Sequence, residues 1–366
     1  MNQNVSDLLE MSRVYGSDER FVVKGGGNTS LKEDGVLYVK ASGHALSTIE
    51  EDGFVRMSTE ALNDMWKMKF PEDPAEREKL VLQAMMDARL EGETQRPSVE
   101  ALLHAIIEYR FVVHLHPAMV NGLTCSQLGE EGMKSMFPDA LWIDIVNPGF
   151  ILAKTVRDAQ RVYLETHPRQ PKVIFLQNHG VFVAGDSKEE IDQTYEHIMS
   201  TLDHYVVRKP NFSAVRVHSA KVEQFQKALG DDPSWLFLMN HELGSFLKDE
   251  ESFYPLSSSF TPDHIVYSGV APMWVDSSIF KKDDLKKELA VRIGEYQKRY
   301  EKDPKIIAVQ QLGVFSVNES ARTLFLDSVK VAVFTTSFGG PKFMEKSFID
   351  FIKTWEVESY RSKILA

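Results

Sequence analysis

The sequence has little of what would link the protein to an oxidising compartment or a membrane. Cys125 is the single cysteine among 366 residues, so no disulfide can form within the chain. No apolar run approaches the roughly 20 residues that span a bilayer. The N-terminal stretch is polar and lacks the apolar centre of a signal peptide. These absences predict a cytoplasmic protein with no membrane partner.

Basic residues are also few. The chain has 42 Lys and Arg against 53 Asp and Glu, a net charge of −11, which repels nucleic acid on average and predicts no such partner. Apolar residues make up 43% and charged residues 26%, and this ordinary globular mixture excludes a disordered, collagen-like or coiled-coil chain. The length predicts two domains.

The usual nucleotide-binding loops are missing, because neither G-x-G-x-x-G nor Gly-Lys-Ser/Thr occurs. The glycine-rich loop that does occur, GGGNTS at 25–30, follows a short strand predicted at 21–24. It forms either an anion-binding loop, through backbone N–H groups, or a plain turn. Hairpin geometry places residues 42–43 beside this loop. Three nearby lysines favour a phosphate or carboxylate ligand: Lys24, Lys32 and Lys40.

Hydrophobic periodicity and helix caps predict a mixture of helices and strands. The predicted helices are 4–16, 58–69, 74–90, 98–109 and 187–207, and the predicted strands include 37–39, 111–115 and 173–182. Because the strands pair partly through hairpins, we expect an α/β fold with a mixed or mainly antiparallel sheet covered by helices. A break around 209–213 predicts domains at 1–212 and 213–366.

Two segments of the chain are similar to each other. Residues 171–182 read PKVIFLQNHGVF and residues 304–315 read PKIIAVQQLGVF, with seven of twelve positions identical. An internal repeat and a chance likeness of two β-turn-β pieces both remain open. In a repeat, Leu312 would stand for His179, and 213–366 would be a degenerate α/β domain that caps the site or builds an oligomer.

Three histidines form a candidate metal site. His114 and His116 are two apart on a predicted strand, so both project from one face, as a zinc-like divalent metal requires. The alternative is two ordinary polar positions on a half-buried sheet. His179 lies in an otherwise apolar strand region, where it is either a third ligand or a turn histidine bonded to backbone. Three protein ligands leave one metal position open for water or substrate.

Glu100 is the nearest acidic residue upstream of the histidine pair. A catalytic metal site that moves protons needs a base, which makes this carboxylate a candidate. The alternative is a structural role, because a carboxylate in the first turn of the 98–109 helix interacts favourably with the helix dipole. His104, one turn further on, is predicted to pack or hydrogen-bond.

Together these motifs resemble the class II aldolase/adducin family. The matching stretches, in family order, are GGGNTS (25–30), LYVKASG (37–43), PSVEALLHA (97–105), VVHLHP (112–117) and LQNHGVFVAGD (176–186). The match is most similar to the aldolase part of bifunctional rhamnulose-1-phosphate aldolase/alcohol dehydrogenases, without a dehydrogenase part. The resemblance implies a three-layer fold, with a mainly antiparallel or mixed central sheet between helices, plus a smaller α/β C-terminal domain.

The resemblance also implies roles for individual residues. Glu100 is the catalytic acid/base, and the metal ligands are His114, His116 and His179. The phosphate-binding positions are Asn28, Ser42, Gly43 and Ser98, with Thr29 contributing through its backbone. Val99 stands where shorter family members often carry a second serine, so one phosphate contact is in question.

The activity that the resemblance implies is a divalent-metal-dependent aldolase using zinc, or else Mn, Co or Fe. It would cleave a small phosphorylated sugar, a ketose 1-phosphate like rhamnulose or fuculose 1-phosphate, to dihydroxyacetone phosphate and an aldehyde. Homo-oligomers, tetramers or dimers, are expected. A sugar-phosphate epimerase or dehydratase on the same site is an alternative. A non-catalytic adducin-like module is another, against which the intact histidine triplet argues.

Overall fold

The protein forms two compact units in a computed structural model that describes residues 3–230 and 235–355. Of these residues, the first unit contains 3–124, Leu128–Tyr205 and 354–355. The second contains Cys125–Gln127 and Val206–Lys353. The helix that closes the main part of the first unit thus ends at Tyr205, a little before the boundary predicted at 212.

The first unit is built on a seven-stranded sheet of order β3-β2-β1-β4-β7-β6-β5. Only the β5–β6 pair is parallel among its described ladders. Its strands are β1 (Asn28–Glu33), β2 (Val36–Lys40), β3 (Phe54–Ser58), β4 (Phe111–Leu115), β5 (Leu141–Ile143), β6 (Val173–Leu176) and β7 (Gly180–Gly185). Its helices are α1 (Gln3–Gly16), α2 (Thr59–Asp64), α3 (Pro74–Asp87), α4 (Ala101–Ile106), α5 (Ala118–Thr124), α6 (Gly129–Met136), α7 (Phe150–Leu164) and α8 (Lys188–Tyr205).

Helices cover both faces of this sheet. Strand alternation sends Val39, Val112 and Phe182 into a core shared with α3, α4 and α7. On the other face α1 packs on β1, and α8 packs on β4 and β7. The hydroxyl of Tyr195 on α8 donates to the carbonyl of Val113 (3.0 Å). The predicted α/β class, with a mixed, mainly antiparallel sheet between helices, is confirmed.

One predicted strand is wrong. Residues 21–24 form turns, so the glycine-rich segment precedes the first strand, and β1 begins at Asn28. Lys24 lies in the left-handed region (φ 57°), which interrupts any extended run. Phe21 is instead held by aromatic packing, with its ring 5.0 Å from Tyr15 and 5.6 Å from Tyr195. The β1–β2 hairpin turns at Asp34-Gly35, an Asp-Gly pair that favours such turns, and both residues adopt positive φ.

The second unit has a four-stranded sheet of order β8-β11-β10-β9. Its strands are β8 (Leu236–Leu238), β9 (Met273–Val275), β10 (Ile306–Val309) and β11 (Gly313–Ser316). Its helices are α9 (Ser219–Leu229), α10 (His241–Phe246), α11 (Glu250–Phe253), α12 (Pro262–Ser268), α13 (Leu285–Tyr300), α14 (Glu319–Thr335) and α15 (Lys346–Thr354), which ends at the boundary with the first unit. Across the described part of the chain, no helix combines the length and apolarity needed to cross a bilayer.

Candidate active site

Strand β4 and the β6–β7 turn bring three histidines together. His114 on β4 and His116, directly after the end of β4, project from the same face of the sheet, as the two-residue spacing predicts. His179 reaches the same point from the turn. One nitrogen from each ring lies within 4.8 Å of the others, and the Nε2 atoms of His114 and His116 are 2.9 Å apart. The triplet that the sequence suggested is therefore a single cluster.

Neighbouring groups fix the orientation of His114. Its Nδ1–H donates to the carbonyl of Val181 (3.0 Å), which leaves the Nε2 lone pair aimed at the cluster. Its ring stacks on Phe182, with centroids 4.0 Å apart and planes 14° apart. His114 is fully buried. The protein therefore holds this imidazole in one tautomer and one orientation.

The turn that carries His179 depends on two local features. Asn178 adopts a left-handed conformation (φ 55°), and its N–H donates to the carbonyl of Thr124 (3.1 Å). Gly180 lies so close to β4 that a Cβ there would meet the Leu115 carbonyl at 2.5 Å and His116 Cδ2 at 2.7 Å. Only glycine lets the turn approach the strand closely enough to join the three rings.

Glu100 faces this cluster from the N-terminus of α4. Its Oε1 is 3.5 Å from His114 Nε2 and 3.6 Å from His179 Nε2. That oxygen is buried and has no hydrogen-bond partner, whereas Oε2 accepts a hydrogen bond from the Asn28 amide. The backbone N–H of Glu100 donates to Ser98 Oγ (3.2 Å). The carboxylate is thus held through Oε2, while Oε1 faces the histidines without a hydrogen bond.

These donors fit a divalent metal ion. The buried Oε1 of Glu100 has no hydrogen-bond partner, and it faces three imidazole nitrogens that lie within 4.8 Å of one another; a cation at this point would satisfy the carboxylate oxygen and attract the nitrogens. Three imidazole nitrogens that leave one coordination position open are a set that zinc accepts, and related first-row metals accept it too. His114, His116 and His179 are the residues that would hold such an ion.

A ladder of polar contacts joins β1 to α4 behind Glu100. Ser30 Oγ lies 2.7 Å from His104 Nδ1, and Lys32 Nζ donates to the His104 carbonyl (2.7 Å). Burial, with a contribution from Lys32, keeps the pKa of His104 well below its usual value. Burial also lowers the pKa of Lys32 to about 7. His104 is therefore a neutral hydrogen-bonding residue, and Lys32 is turned to this ladder instead of an anion.

The four positions expected to bind phosphate lie near one another. The β1–β2 register brings the start of β1, with Asn28, beside the end of β2, which leads to Ser42 and Gly43. The Ser42 N–H donates to the Arg96 carbonyl (2.8 Å), and the Ser98 N–H donates to the Lys40 carbonyl (3.0 Å). These bonds tie the Ser42-Gly43 turn to the segment that carries Ser98.

Two neighbouring features define this end of the site further. Gly27 (φ 79°) passes so close to β4 that a Cβ would lie 2.8 Å from the His114 carbonyl. Thr29 points to the opposite face of the sheet, where its Oγ1 lies 2.7 Å from Ser12 Oγ. A role for Thr29 in ligand binding is therefore restricted to its backbone.

Sequence reasoning did not identify Phe182 and Val181 as part of the site. Phe182 stands opposite His114 in the β4–β7 register, and Val181 stands opposite Leu115. The alternation after Gly180 indicates which β7 residues share a face. No single-sequence signal specifies which β4 residue each one meets.

The comparisons with known proteins agree with this architecture. Residues 6–206 match the profile of the Class II Aldolase and Adducin N-terminal domain. Since this covers more than half of the chain, the protein belongs to the class II aldolase/adducin family.

Individual relatives are more distant. An uncharacterized oxidoreductase of Bacillus subtilis (strain 168), YuxG, is 23% identical over 98% of this chain, which spans only 58% of that protein's length. The N-terminal class II aldolase domain of a conserved Thermoplasma acidophilum protein is 25% identical, covering 56% of this chain and 95% of that one (TM-score 0.48). The L-fuculose-1-phosphate aldolase of Thermus thermophilus is 16% identical, covering 63% and 99% (TM-score 0.36).

Proposed function

We propose that this protein is a divalent-metal-dependent aldolase that cleaves a ketose 1-phosphate to dihydroxyacetone phosphate and an aldehyde. The observation that carries the proposal is the unpaired, buried Oε1 of Glu100, which faces the Nε2 atoms of His114 and His179 at 3.5 and 3.6 Å. A carboxylate with one fixed and one free oxygen beside a metal site is suited to move a proton at the reacting carbon. Family membership supports the same reaction class.

Each group has a distinct role in this proposal. His114, His116 and His179 would hold zinc or a related divalent ion, whose positive charge would polarise the carbonyl and adjacent hydroxyl oxygens of the ketose. When the carbon–carbon bond breaks, the neighbouring hydroxyl carbon becomes the aldehyde as its O–H proton is released to solvent, and the bonding electron pair stays on the carbon of the future ketone. Glu100 in its acid form donates a proton to that carbon, and Asn28 orients the carboxyl group by binding Oε2. A group positioned in this way is typically worth about 10²–10⁴-fold in rate.

The phosphate is proposed to bind at the opposite end of the substrate. Ser42, Gly43 and Ser98 lie on segments joined by backbone hydrogen bonds, which pre-organise their polar groups. Gly43 adopts φ 92°, a conformation that favours glycine and opens the turn for close approach of an anion. The lysine side chain of Lys32 is excluded from this role by its contact with His104.

The test is the substitution Glu100→Gln. We expect the variant to keep its bound metal, because the three histidines remain. Release of aldehyde from ketose 1-phosphates should fall by more than about 100-fold, because the amide cannot exchange a proton with carbon. Metal content is measured by mass spectrometry of the purified protein, and turnover is measured over a panel of sugar phosphates.

Glu108→Gln is the matched control, since Glu108 is exposed just beyond α4. It should leave metal content and turnover unchanged. Full activity of Glu100→Gln would remove Glu100 from the mechanism. In the same panel, an isomeric product would favour an epimerase, and loss of water would favour a dehydratase. Wild-type protein without metal after metal-supplemented expression would favour a non-catalytic module.

A further inference from the structure

The second unit repeats the topology of half of the first. Its sheet order β8-β11-β10-β9 corresponds to β4-β7-β6-β5. In both sheets the first two pairs are antiparallel and the last pair is parallel. A long helix precedes and follows each hairpin, α7 and α8 in the first unit and α13 and α14 in the second. Agreement in order, direction and flanking helices extends well beyond two similar β-turn-β pieces.

The strand registers agree residue by residue. In the hairpins, Phe175 pairs with Val181 as Ala308 pairs with Val314. The other described pairs of each hairpin follow with the same shift in residue number. The parallel pairs also correspond, because Ile143 opposite Leu176 matches Val275 opposite Val309. The repeat therefore includes three neighbouring strands without a slip in register.

The turn that carries His179 in the first unit has a full counterpart in the second. Asn178 and Gln311 both adopt left-handed conformations, at φ 55° and 58°. The backbone bonds around the two turns also match. The Asn178 N–H donates to Thr124 O as the Gln311 N–H donates to Leu247 O. The Gln177 N–H donates to Ile143 O as the Gln310 N–H donates to Val275 O. The His179 N–H donates to Leu176 O as the Leu312 N–H donates to Val309 O.

The glycine after each turn shows how β8 in the second unit aligns with β4 in the first. A Cβ at Gly180 would meet the carbonyl of Leu115 at 2.5 Å, and a Cβ at Gly313 would meet the carbonyl of Leu238 at 2.8 Å. The ladders give the same alignment, because Leu115 pairs with Val181 and Leu238 pairs with Val314. Two independent observations thus align β8 with β4, residue by residue.

This alignment identifies what replaces each metal ligand. Phe237 stands at the position of His114, Met239 at that of His116 and Leu312 at that of His179. The supporting ring is also repeated. Phe315 is the counterpart of Phe182. The ring centroids of Phe315 and Phe237 are 5.1 Å apart, and those of Phe182 and His114 are 4.0 Å apart. All three ligand positions carry apolar side chains, and the backbone that oriented the ligands is retained.

We infer that the second unit contains a copy of the metal-binding half of the first, in which apolar side chains fill a vestigial metal site whose backbone geometry is intact. The inference rests on the metal role proposed for His114, His116 and His179. It assigns one metal ion to each chain and no metal chemistry to the second unit. It also states that restoring three histidines rebuilds a metal site.

The experiment is the triple substitution Phe237→His, Met239→His and Leu312→His in the full chain. Cobalt(II) is the probe, because its visible absorption reports coordination by nitrogen ligands. We expect one Co²⁺ per wild-type chain and a second per variant chain, bound up to about 100-fold more weakly because no counterpart of Glu100 supports it. A folded variant that binds only one Co²⁺ would overturn the inference.

The matched control moves two histidines by one residue. Leu236→His, Leu238→His and Leu312→His contain the same number of histidines, but strand alternation sends the first two to the opposite face of β8. This variant should bind no second Co²⁺ ion. Equal binding by both variants would mean that added imidazoles alone capture the metal, and would also refute the inference.

Two further variants keep the result interpretable. Circular dichroism reports whether the triple variant folds. If it does not, Met239→His with Leu312→His tests the same geometry with Cu²⁺, which binds tightly to paired imidazoles; no Cu²⁺ beyond that bound by the wild type would refute the inference. His116→Ala in the triple background removes the first site. A remaining Co²⁺ then belongs to the second unit even if the first proves not to be the catalytic metal site.

Discussion

Gly180→Ala tests whether the close approach of the β6–β7 turn to β4 creates the metal cluster. The added methyl group would lie 2.5 Å from the Leu115 carbonyl and 2.7 Å from His116 Cδ2, whereas ordinary contacts are 3.4–4 Å. The turn and strand must therefore separate by about an ångström. Overpacking of this kind costs about 1–3 kcal/mol of stability. Because His116 is displaced and His179 is carried by the turn, we expect metal affinity to fall by about 10–100-fold.

The assay is Co²⁺ titration of the variant, with the unfolding midpoint measured in urea. Gly313→Ala is the control from the second unit, since its Cβ would meet the Leu238 carbonyl at 2.8 Å without touching the histidines. That variant should lose stability and keep its metal affinity. If Gly180→Ala bound Co²⁺ as tightly as the wild type, the turn would not set the geometry of the cluster.

Two other predictions concern the metal and a buried lysine. Chelation with EDTA should abolish aldehyde release, and added Zn²⁺, Mn²⁺ or Co²⁺ should restore it; activity that persists in metal-free protein would exclude a metal-dependent reaction. The pKa of Lys32 is about 7 in the folded protein and about 10.4 in the unfolded chain. Between pH values of about 7 and 10.4 the unfolded chain therefore binds more protons than the folded protein, and the stability of the wild type rises with pH. The advantage of Lys32→Met over the wild type, measured in urea, should therefore shrink by about 1–2 kcal/mol from about pH 7.5 to 9.5, after allowance for partial solvent exposure. Parallel pH profiles would refute the burial of this amine, and Lys69→Met is the exposed control.

Local pattern was sufficient to predict much of the fold. The helices at α1, α3 and α8 and the strand β4 follow from periodicity and caps, because each buries one face or one run of apolar residues. The strand expected at 21–24 failed because tertiary packing of Phe21 on two tyrosines outweighs its β propensity. Strand β3 and the order of the sheet depend on pairing between distant segments, which no local window contains.

The sequence predicted the positions of some residues of the candidate site better than those of others. His114 and His116 could be paired from their spacing, since strand period alone puts them on one face. His179 and Glu100 were candidates from their residue types, but only the family resemblance chose between their alternatives, because their approach depends on the turn at Asn178 and on the start of α4. The hydrogen bond from Asn28 to Glu100 was not predictable, because residues 72 apart meet only through the β1–β4 register.

The repeat accounts for why, under this proposal, the first unit would hold a metal and the second would not. The copied half runs from β4 to α8, so it includes the three ligand positions but neither Asn28 on β1 nor Glu100 at the start of α4. Among the described residues, the second sheet has no counterpart of β1, β2 or β3. A metal held there would lack both the acid/base and the anion-binding turn, so its ligands would support no reaction. In the second unit Leu312 is buried in the apolar core and Phe237 packs against that core, which is the physical advantage that would favour their replacement of histidine.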